Sequence, residues 1–252
     1  MIRATFRHLN GIGPATEATL WKRGVRDWSE LGGALAGTRR SRRWDEEIRE
    51  SERALANLDA GWFGRRLPST EHWRLYPAFA KTTAFLDIET TSLSPYEGIV
   101  TVVCVHAADG TRSFVQGEDL EELPGHLARY GVLVTFNGSL FDLPFLQVHY
   151  PHLADPAAHI DLRFLFYRLG IGGGLKRIEE RLRIGDRAGV EGVRGLDAVR
   201  LWSEWRRGHR ASLDRLVRYN RADTVNLEPL LRYAVRELSA RVLAPAAPLA
   251  AR

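Results

Sequence analysis

The period of the apolar positions changes once along the chain. Up to about residue 70, apolar side chains recur at helical spacing, as in Leu20, Trp21, Val25, Trp28 and Leu31, and no run has the form of a strand. A charged helix is expected over residues 42–58, and Trp62-Phe63 begins a linker that packs on the next domain. Near Lys81 the pattern turns to short β-branched runs at 83–89, 99–106, 112–116 (after the turn at Asp109-Gly110), 131–136 and 158–162. A helix leads into the fourth of these runs. Beyond residue 162 the chain reads as helical, broken at Gly172-Gly173-Gly174, with one long helix over about 211–240. Three strands in close succession, then strands alternating with helices, predict an α/β fold with a mixed sheet flanked by helices. The expected organisation is a small helical module over 1–68, an α/β domain over 81–243 and a loose Ala/Pro-rich tail over 244–252.

Composition narrows this picture only slightly. The net charge is +5, and only three of the 36 basic residues are lysines (Lys22, Lys81, Lys176). Arginine forks match phosphate oxygens, so a nucleic-acid partner is allowed, although arginine-rich coding produces the same balance. A single cysteine, Cys104, excludes an internal disulfide and a zinc site built from several cysteines. No apolar stretch has bilayer-spanning length, and the first residues lack the apolar core of a signal peptide. The expectation is a cytoplasmic monomer without a membrane partner.

Three short motifs carry candidate chemistry. In Phe85-Leu86-Asp87-Ile88-Glu89-Thr90-Thr91, Asp87 and Glu89 are i and i+2 on a strand and therefore project from one face. Two carboxylates together on a buried strand repel and are costly to desolvate, a cost that a divalent cation removes. In Phe136-Asn137-Gly138-Ser139-Leu140-Phe141-Asp142-Leu143-Pro144-Phe145, the chain passes from strand to helix, with Asp142 placed as a helix cap and Pro144 in the first turn. In Tyr219-Asn220-Arg221-Ala222-Asp223, Tyr219 and Asp223 are i and i+4 on one helix face. Each motif alone is common by chance; their occurrence together and in this order is not.

In that order the motifs resemble the DEDDy class of 3′→5′ exonucleases, named for four carboxylates and a tyrosine. Asp87-Ile88-Glu89-Thr90-Thr91-Ser92-Leu93-Ser94-Pro95 and Asn137-Gly138 through Phe141-Asp142, Pro144, Phe145 and Leu146 are similar to the first two motifs of family B DNA polymerase proofreading domains. They are also similar to those of a bacterial stand-alone family of ribonuclease-H-like exonucleases. Ser92 stands where that group usually has Gly. Arg218, five residues before the last Asp, stands where the related histidine class has His. The resemblance implies a ribonuclease-H-like sheet and hydrolysis of phosphodiester bonds in DNA or RNA. It implies two divalent ions, Mg²⁺ or Mn²⁺, held by Asp87, Glu89, Asp142 and Asp223, with Asp87 bridging and Tyr219 orienting the attacking water. Thr90, Thr91, Leu93, Asn137 and Phe141 are the expected contacts to the last nucleotides.

Two further features bear on partners. Leu9-Asn10-Gly11-Ile12-Gly13-Pro14-Ala15-Thr16 resembles a helix-hairpin-helix, whose turn at Gly11 and Gly13 would offer backbone amides to phosphate, although Asn10 stands where that motif commonly has Pro. Between Arg200 and Arg221 there are seven arginines against two acids, a stripe suited to a phosphate backbone or simply to solvent. The rival readings are a catalytically inert nucleic-acid-binding protein of the same fold and a protein scaffold built on Trp21, Trp28, Trp44 and Trp62.

Overall fold

The computed structural model describes residues 1–34, 39–193 and 195–243; the tail expected over 244–252 lies outside these. Helical elements fill the chain up to Thr82. They are a short 3₁₀ turn (Ile2–Ala4), α1 (Pro14–Lys22), α2 (Trp28–Ala34), α3 (Arg39–Ala56) and α4 (Ala60–Gly64), then a 3₁₀ stretch (Ser69–Leu75) and α5 (Tyr76–Phe79). Trp28 and Trp44 are buried, and the indole N–H groups of Trp21, Trp28 and Trp44 donate to the carbonyls of Ala4, Thr5 and Asn10. These tryptophans therefore tie the irregular first residues to the helices, and the rings of Trp28 and Trp44 belong to the core.

The sheet begins at β1 (Thr83–Thr90), continues through β2 (Val100–Ala107) and β3 (Gly110–Val115), and after α6 (Leu123–Leu127) adds β4 (Val132–Thr135). Then come α7 (Asp142–His149), β5 (His159–Asp161), α8 (Leu162–Leu169), α9 (Leu175–Leu182), α10 (Gly195–Arg206), α11 (Arg210–Val225) and α12 (Leu227–Leu243). The strand order is β3-β2-β1-β4-β5, with β1–β2–β3 antiparallel and β4 and β5 parallel to β1. This is the mixed sheet of a ribonuclease-H-like fold, and β1 lies at its centre.

One expectation needs correction. The helix read over about 211–240 is two helices, α11 and α12, meeting at Asn226. The physical reason is Pro229, which has no N–H to offer the carbonyl of Val225 and whose ring crowds that carbonyl. The kink lets α11 lie across the sheet while α12 turns away to pack on α8.

Alternation along β1 divides the core. Ala84, Leu86 and Ile88 pack with Val103, Val105, Phe145 and Leu146 on one face. Phe85 belongs to the other face, in a continuous cluster with Val132, Val134, Leu162, Phe166 and Leu230. That cluster runs without a break into the helical half through Phe63, Trp73 and Phe79 and on to Phe6, Leu9 and Trp28. A buried ion pair reinforces the junction: Arg74 donates to both Glu17 oxygens at 2.9 and 3.0 Å, and Glu17 also accepts from the Phe6 N–H at 2.7 Å. Glu71 faces the same guanidinium at 2.6 Å. Among the described residues Arg74 is the one cation paired with buried Glu17, and removing it leaves that carboxylate without its counter-charge, so Arg74→Ala should lower unfolding free energy by about 3–5 kcal/mol. Urea denaturation of the full chain measures this; a loss below about 1 kcal/mol would place the pair in a solvated position that the structure does not give it.

Candidate active site

The site grows from the centre of the sheet. Asp87 and Glu89 extend from β1 on the face opposite Leu86 and Ile88, and the pairing register of β1 with β2 shifts between Glu89 and Thr90. The shift ends the regular ladder just past the second carboxylate. Helix α11 crosses this face and is pinned to it: buried Asn220 donates from Nδ2 to the Asp87 backbone oxygen at 3.1 Å and to its carboxylate at 2.8 Å. The same helix carries Asp223. One carboxylate oxygen each from Asp87, Glu89 and Asp223 lies within 4.8 Å of the others.

Asp142 comes from the opposite direction, off the end of β4. The turn that delivers it explains the Asn-Gly pair. Asn137 has φ +67°, which asparagine tolerates better than most residues, and a Cβ at Gly138 would collide with Thr135 Oγ1 at 2.2 Å. Asp161, at the start of α8, accepts the N–H groups of Asn137 and Ser139 at 2.8 and 3.0 Å and so latches the turn. Asp142 does not cap α7. It is the first helical residue, Phe141 is the cap, and no side chain bonds the helix end. The carboxylate of Asp142 is buried and turned toward the site instead, close enough that its charge acts on Asp87 and Glu89.

Crowding shows in the titration of these groups. Burial, and then the charge of Asp223, push Asp87 and Glu89 well above the usual carboxylate range, with Asp142 adding to both. Burial raises Asp142 to about 7, with a smaller push from Asp161. Hard carboxylate oxygens held this close and this short of counter-charge suit a divalent cation such as Mg²⁺ or Mn²⁺, and not zinc.

The structure adds three side chains that the motifs do not reveal. Lys176, near the start of α9, donates to the Tyr219 hydroxyl at 2.7 Å and to the Val193 carbonyl at 2.7 Å, and its ammonium lies 4.3 Å from the Tyr219 ring centre. The hydroxyl of buried Tyr219 thus accepts from Lys176, and its own proton is directed to the Asp223 carboxylate. Burial and the charges of Asp223, Glu89 and Asp87 raise its pKa. Arg187 donates to Asp223 at 2.5 Å and to Glu179 at 2.5 Å. Glu179 also accepts from Asn226 at 3.0 Å, whose Oδ1 receives the Asp186 N–H. Gly185, at φ +104°, lies so close to Asn226 that no side chain fits there. The helix kink therefore also anchors the loop that carries Arg187. Asn220 is the third addition; it stands inside a motif but has no spacing signal of its own.

The expected substrate contacts divide into exposed and structural groups. Leu93 is 88% exposed beside the carboxylates' strand. The Thr90 hydroxyl donates to the Ser92 carbonyl, and Thr91 pairs with Ile99 through both its backbone N–H and its hydroxyl oxygen, so these hydroxyls shape the turn. The Ser92 side chain is accommodated by Gly98 opposite, where a Cβ would come within 2.7 Å of it. Phe141 packs on Phe145, and Asn137 Oδ1 accepts from Arg163. In the helical half, Gly11 has φ +80° and Gly13 caps α1 with Pro14 next, but only the turn Ile2–Ala4 precedes the pair as a helix. The Asn10 N–H donates to Glu47 at 2.8 Å, and Glu46 and Glu50 line the same hollow with Arg7, Arg43 and Arg66. The Asn10 N–H beside this turn is thus held by a carboxylate.

A family model described as the RNase H superfamily matches residues 84–235, which span Asp87, Glu89, Asp142 and Asp223. The chain belongs to the RNase H superfamily. No curated protein matches the chain. Among solved structures it is similar to the family B DNA polymerase of Pyrobaculum calidifontis, at 18% identity and TM-score 0.48, covering 64% of this chain and 27% of the polymerase. The chain thus spans about a quarter of that polymerase. It is similar to a nuclease in its apo form (17% identity, TM-score 0.47, 69% and 79% covered) and to Brucella melitensis NrnC with bound Mg²⁺ (15%, 0.41, 66% and 80%). Among the described residues no helix is long and apolar enough to cross a membrane.

The raised Asp142 pKa gives a signed prediction for the metal-free protein. A carboxyl whose folded pKa exceeds its unfolded value near 3.9 holds its proton more tightly when folded. Its stabilising contribution is complete below about pH 4 and is lost as pH rises through about 7. In chelator, the melting temperature should fall between pH 5 and pH 8, at about 2–4 °C per kcal/mol for a chain of this size. Asp142→Asn should flatten that fall. A profile unchanged by the substitution would mean that Asp142 is solvated.

Proposed function

We propose that the chain is a 3′→5′ exonuclease of the DEDDy type, hydrolysing the terminal phosphodiester bond of a nucleic acid with two divalent ions. The observation that carries the reading is the placement of Tyr219 one helical turn from Asp223, beside the oxygens of Asp87 and Glu89, in a member of the RNase H superfamily. Asp87, Glu89 and Asp223 would hold one ion, and Asp142 with Asp87 the second. The ions, when bound, supply an activated water and neutralise charge on the leaving oxygen.

The chain's own residues do the positioning. Asn220 fixes one Asp87 oxygen and leaves the other for a ligand. Lys176 fixes the Tyr219 hydroxyl as an acceptor, and the Tyr219 proton, directed at Asp223, would turn to a water once an ion occupied that carboxylate. Tyr219 does not serve as a base, because its raised pKa keeps it protonated at neutral pH. Leu93 and Phe141 offer apolar faces to a terminal base, and Asn137 a polar edge. The helical module over 1–68 would add affinity for longer substrates through backbone or arginine contacts, without a part in the chemical step. The inert-protein reading is less well supported, because all four carboxylates and the tyrosine are present and gathered.

The test is digestion of DNA and RNA strands labelled at either end, in Mg²⁺, Mn²⁺ and chelator. Mononucleotides released from the 3′ end only, and only with a divalent ion, are expected. Asp87→Asn should abolish release and, by removing one of the repelling charges, raise the melting temperature of the metal-free protein. Tyr219→Phe should lower turnover by about 100-fold while metal binding, read by calorimetry, stays within about twofold. Equal turnover for Tyr and Phe would remove the hydroxyl from the mechanism, and release from the 5′ end would reverse the assigned polarity.

A further inference from the structure

Beside the carboxylates lies a groove of about 960 Å³ lined by Phe136, Asn137, Leu140, Arg163, Phe164 and Tyr167, with Gly172, Gly173 and Gly174 along its floor. We propose that this groove is the track for the single-stranded segment 5′ of the nucleotide being removed, with Phe164 and Tyr167 as stacking platforms for unpaired bases. The inference rests on the exonuclease reading and names where the rest of its substrate lies.

Helix α8 shows why these rings are not core. Its inner face, Leu162, Leu165, Phe166 and Leu169, is buried against α12, while Arg163, Phe164 and Tyr167 form the outer face. Phe164 is 50% and Tyr167 78% exposed, one helical turn apart, and Leu140 across the groove is 65% exposed. A chain in water gains nothing by collecting three large apolar groups on one polar-rimmed face unless something covers them. Aromatic faces lining a groove with cationic edges are what sequence-independent single-strand binding requires, since every base has a π-face and every linkage a charge. Arg163 supplies one edge: one of its guanidinium nitrogens holds Asn137 Oδ1, and its other donors remain for phosphate. Exposed Arg177, whose alkyl chain lies beside Gly173, supplies the other.

Continuity with the site fixes the occupant. One rim is Asn137, in the turn that delivers Asp142 five residues later. The opposite end is Gly174, which caps α9 two residues before Lys176, the partner of Tyr219. A chain lying in the groove therefore runs toward the carboxylates between two elements that carry site residues. The glycine floor keeps the track open: a Cβ at Gly172 or Gly174 would meet no protein atom within 4 Å, so a side chain there would fill the groove without disturbing the fold.

The test is fluorescence anisotropy of the full-length protein in chelator, with 5′-labelled oligothymidylate and oligouridylate and a blunt duplex of equal length. Phe164→Ala combined with Tyr167→Ala should weaken binding of both single strands by about tenfold or more, with the salt slope unchanged, because stacking and not charge is lost. Tyr167→Phe should bind as the unaltered protein does. Gly172→Leu should weaken strand binding comparably, while Arg163→Gln should reduce the salt slope. Thermal melts confirm folding of each variant, whose altered side chains are exposed. Unchanged strand affinity in the double-alanine variant, or an equal loss for the duplex, would overturn the proposal. So would loss of self-association in sedimentation with strand binding intact, which would give the face to a second copy of this chain. If the unaltered protein binds strands through these rings yet releases no nucleotide in Mg²⁺, the exonuclease reading fails and the track stands. Digestion with no effect of the ring substitutions defeats the track alone.

Discussion

The repulsion among four carboxylates, three of them buried and Asp87 partly so, governs this structure. Asp87, Glu89 and Asp223 have oxygens within 4.8 Å of each other, and Asp142 adds its charge from the neighbouring strand end. Such a cluster would spread apart if its supports were soft. They are not: β1 is hydrogen-bonded on both sides, to β2 and to β4, and lies in the middle of the sheet. α11 is held to β1 by Asn220, a buried amide that bonds both the backbone and the side chain of Asp87. Stability stored elsewhere, in the core shared by sheet and helices, holds the charges in place until a cation offsets them.

Two side-chain cations already offset part of that charge, and they do so at different atoms. Arg187 takes one Asp223 oxygen, while Lys176 approaches Asp223 and Glu89 only through its field and spends its hydrogen bonds on Tyr219 and Val193. An ion that needs the Asp223 oxygen facing Arg187 must compete with a charge-assisted bond, so ion affinity and the position of the 185–193 loop are linked. The loop's anchor is Asn226 at the α11–α12 kink, with Gly185 pressed against it. A proline three residues beyond Asn226 thus bears on the site through two packed contacts, although it touches none of the carboxylates.

Legibility in the sequence tracks what is local. The period-2 alternation through Phe85–Glu89 placed two carboxylates on one face, and β1 obeys it. The Asn137-Gly138 pair announced a turn, and the structure shows why each residue stands there. Tyr219 and Asp223 were legible because i, i+4 spacing has one meaning on a helix. Lys176, Arg187 and Asp161 were not, because each reaches the site from an element whose docking only the tertiary fold determines, and nothing in their neighbours' spacing marks them. Asn220 lay in plain view within a motif, but an amide has no charge pattern to betray it. Pro229 is a different kind of miss: the signal for a helix break was present, and the apolar periodicity continuing from Leu216 to Leu238 masked it.

The helical half presents the reverse case, in which periodicity predicted helices correctly but said little about what they are for. Its glycine turn at Gly11 and Gly13 has the backbone form of a phosphate cradle, yet the Ile12 N–H donates to the Leu9 carbonyl and the Asn10 N–H to Glu47. Meanwhile Phe6, Leu9, Trp28 and Phe63 share a cluster with Phe85, Val132 and Val134, and Arg74 crosses from the 3₁₀ stretch to Glu17 of α1. A module whose role was affinity alone could be attached by a linker with few buried contacts. This one contributes apolar surface and a buried counter-charge to the same core that supports β1, the strand that carries two of the four repelling carboxylates. The helical half therefore acts on the site mechanically: the rigidity that keeps Asp87 and Glu89 in register is in part supplied from residues more than fifty positions upstream.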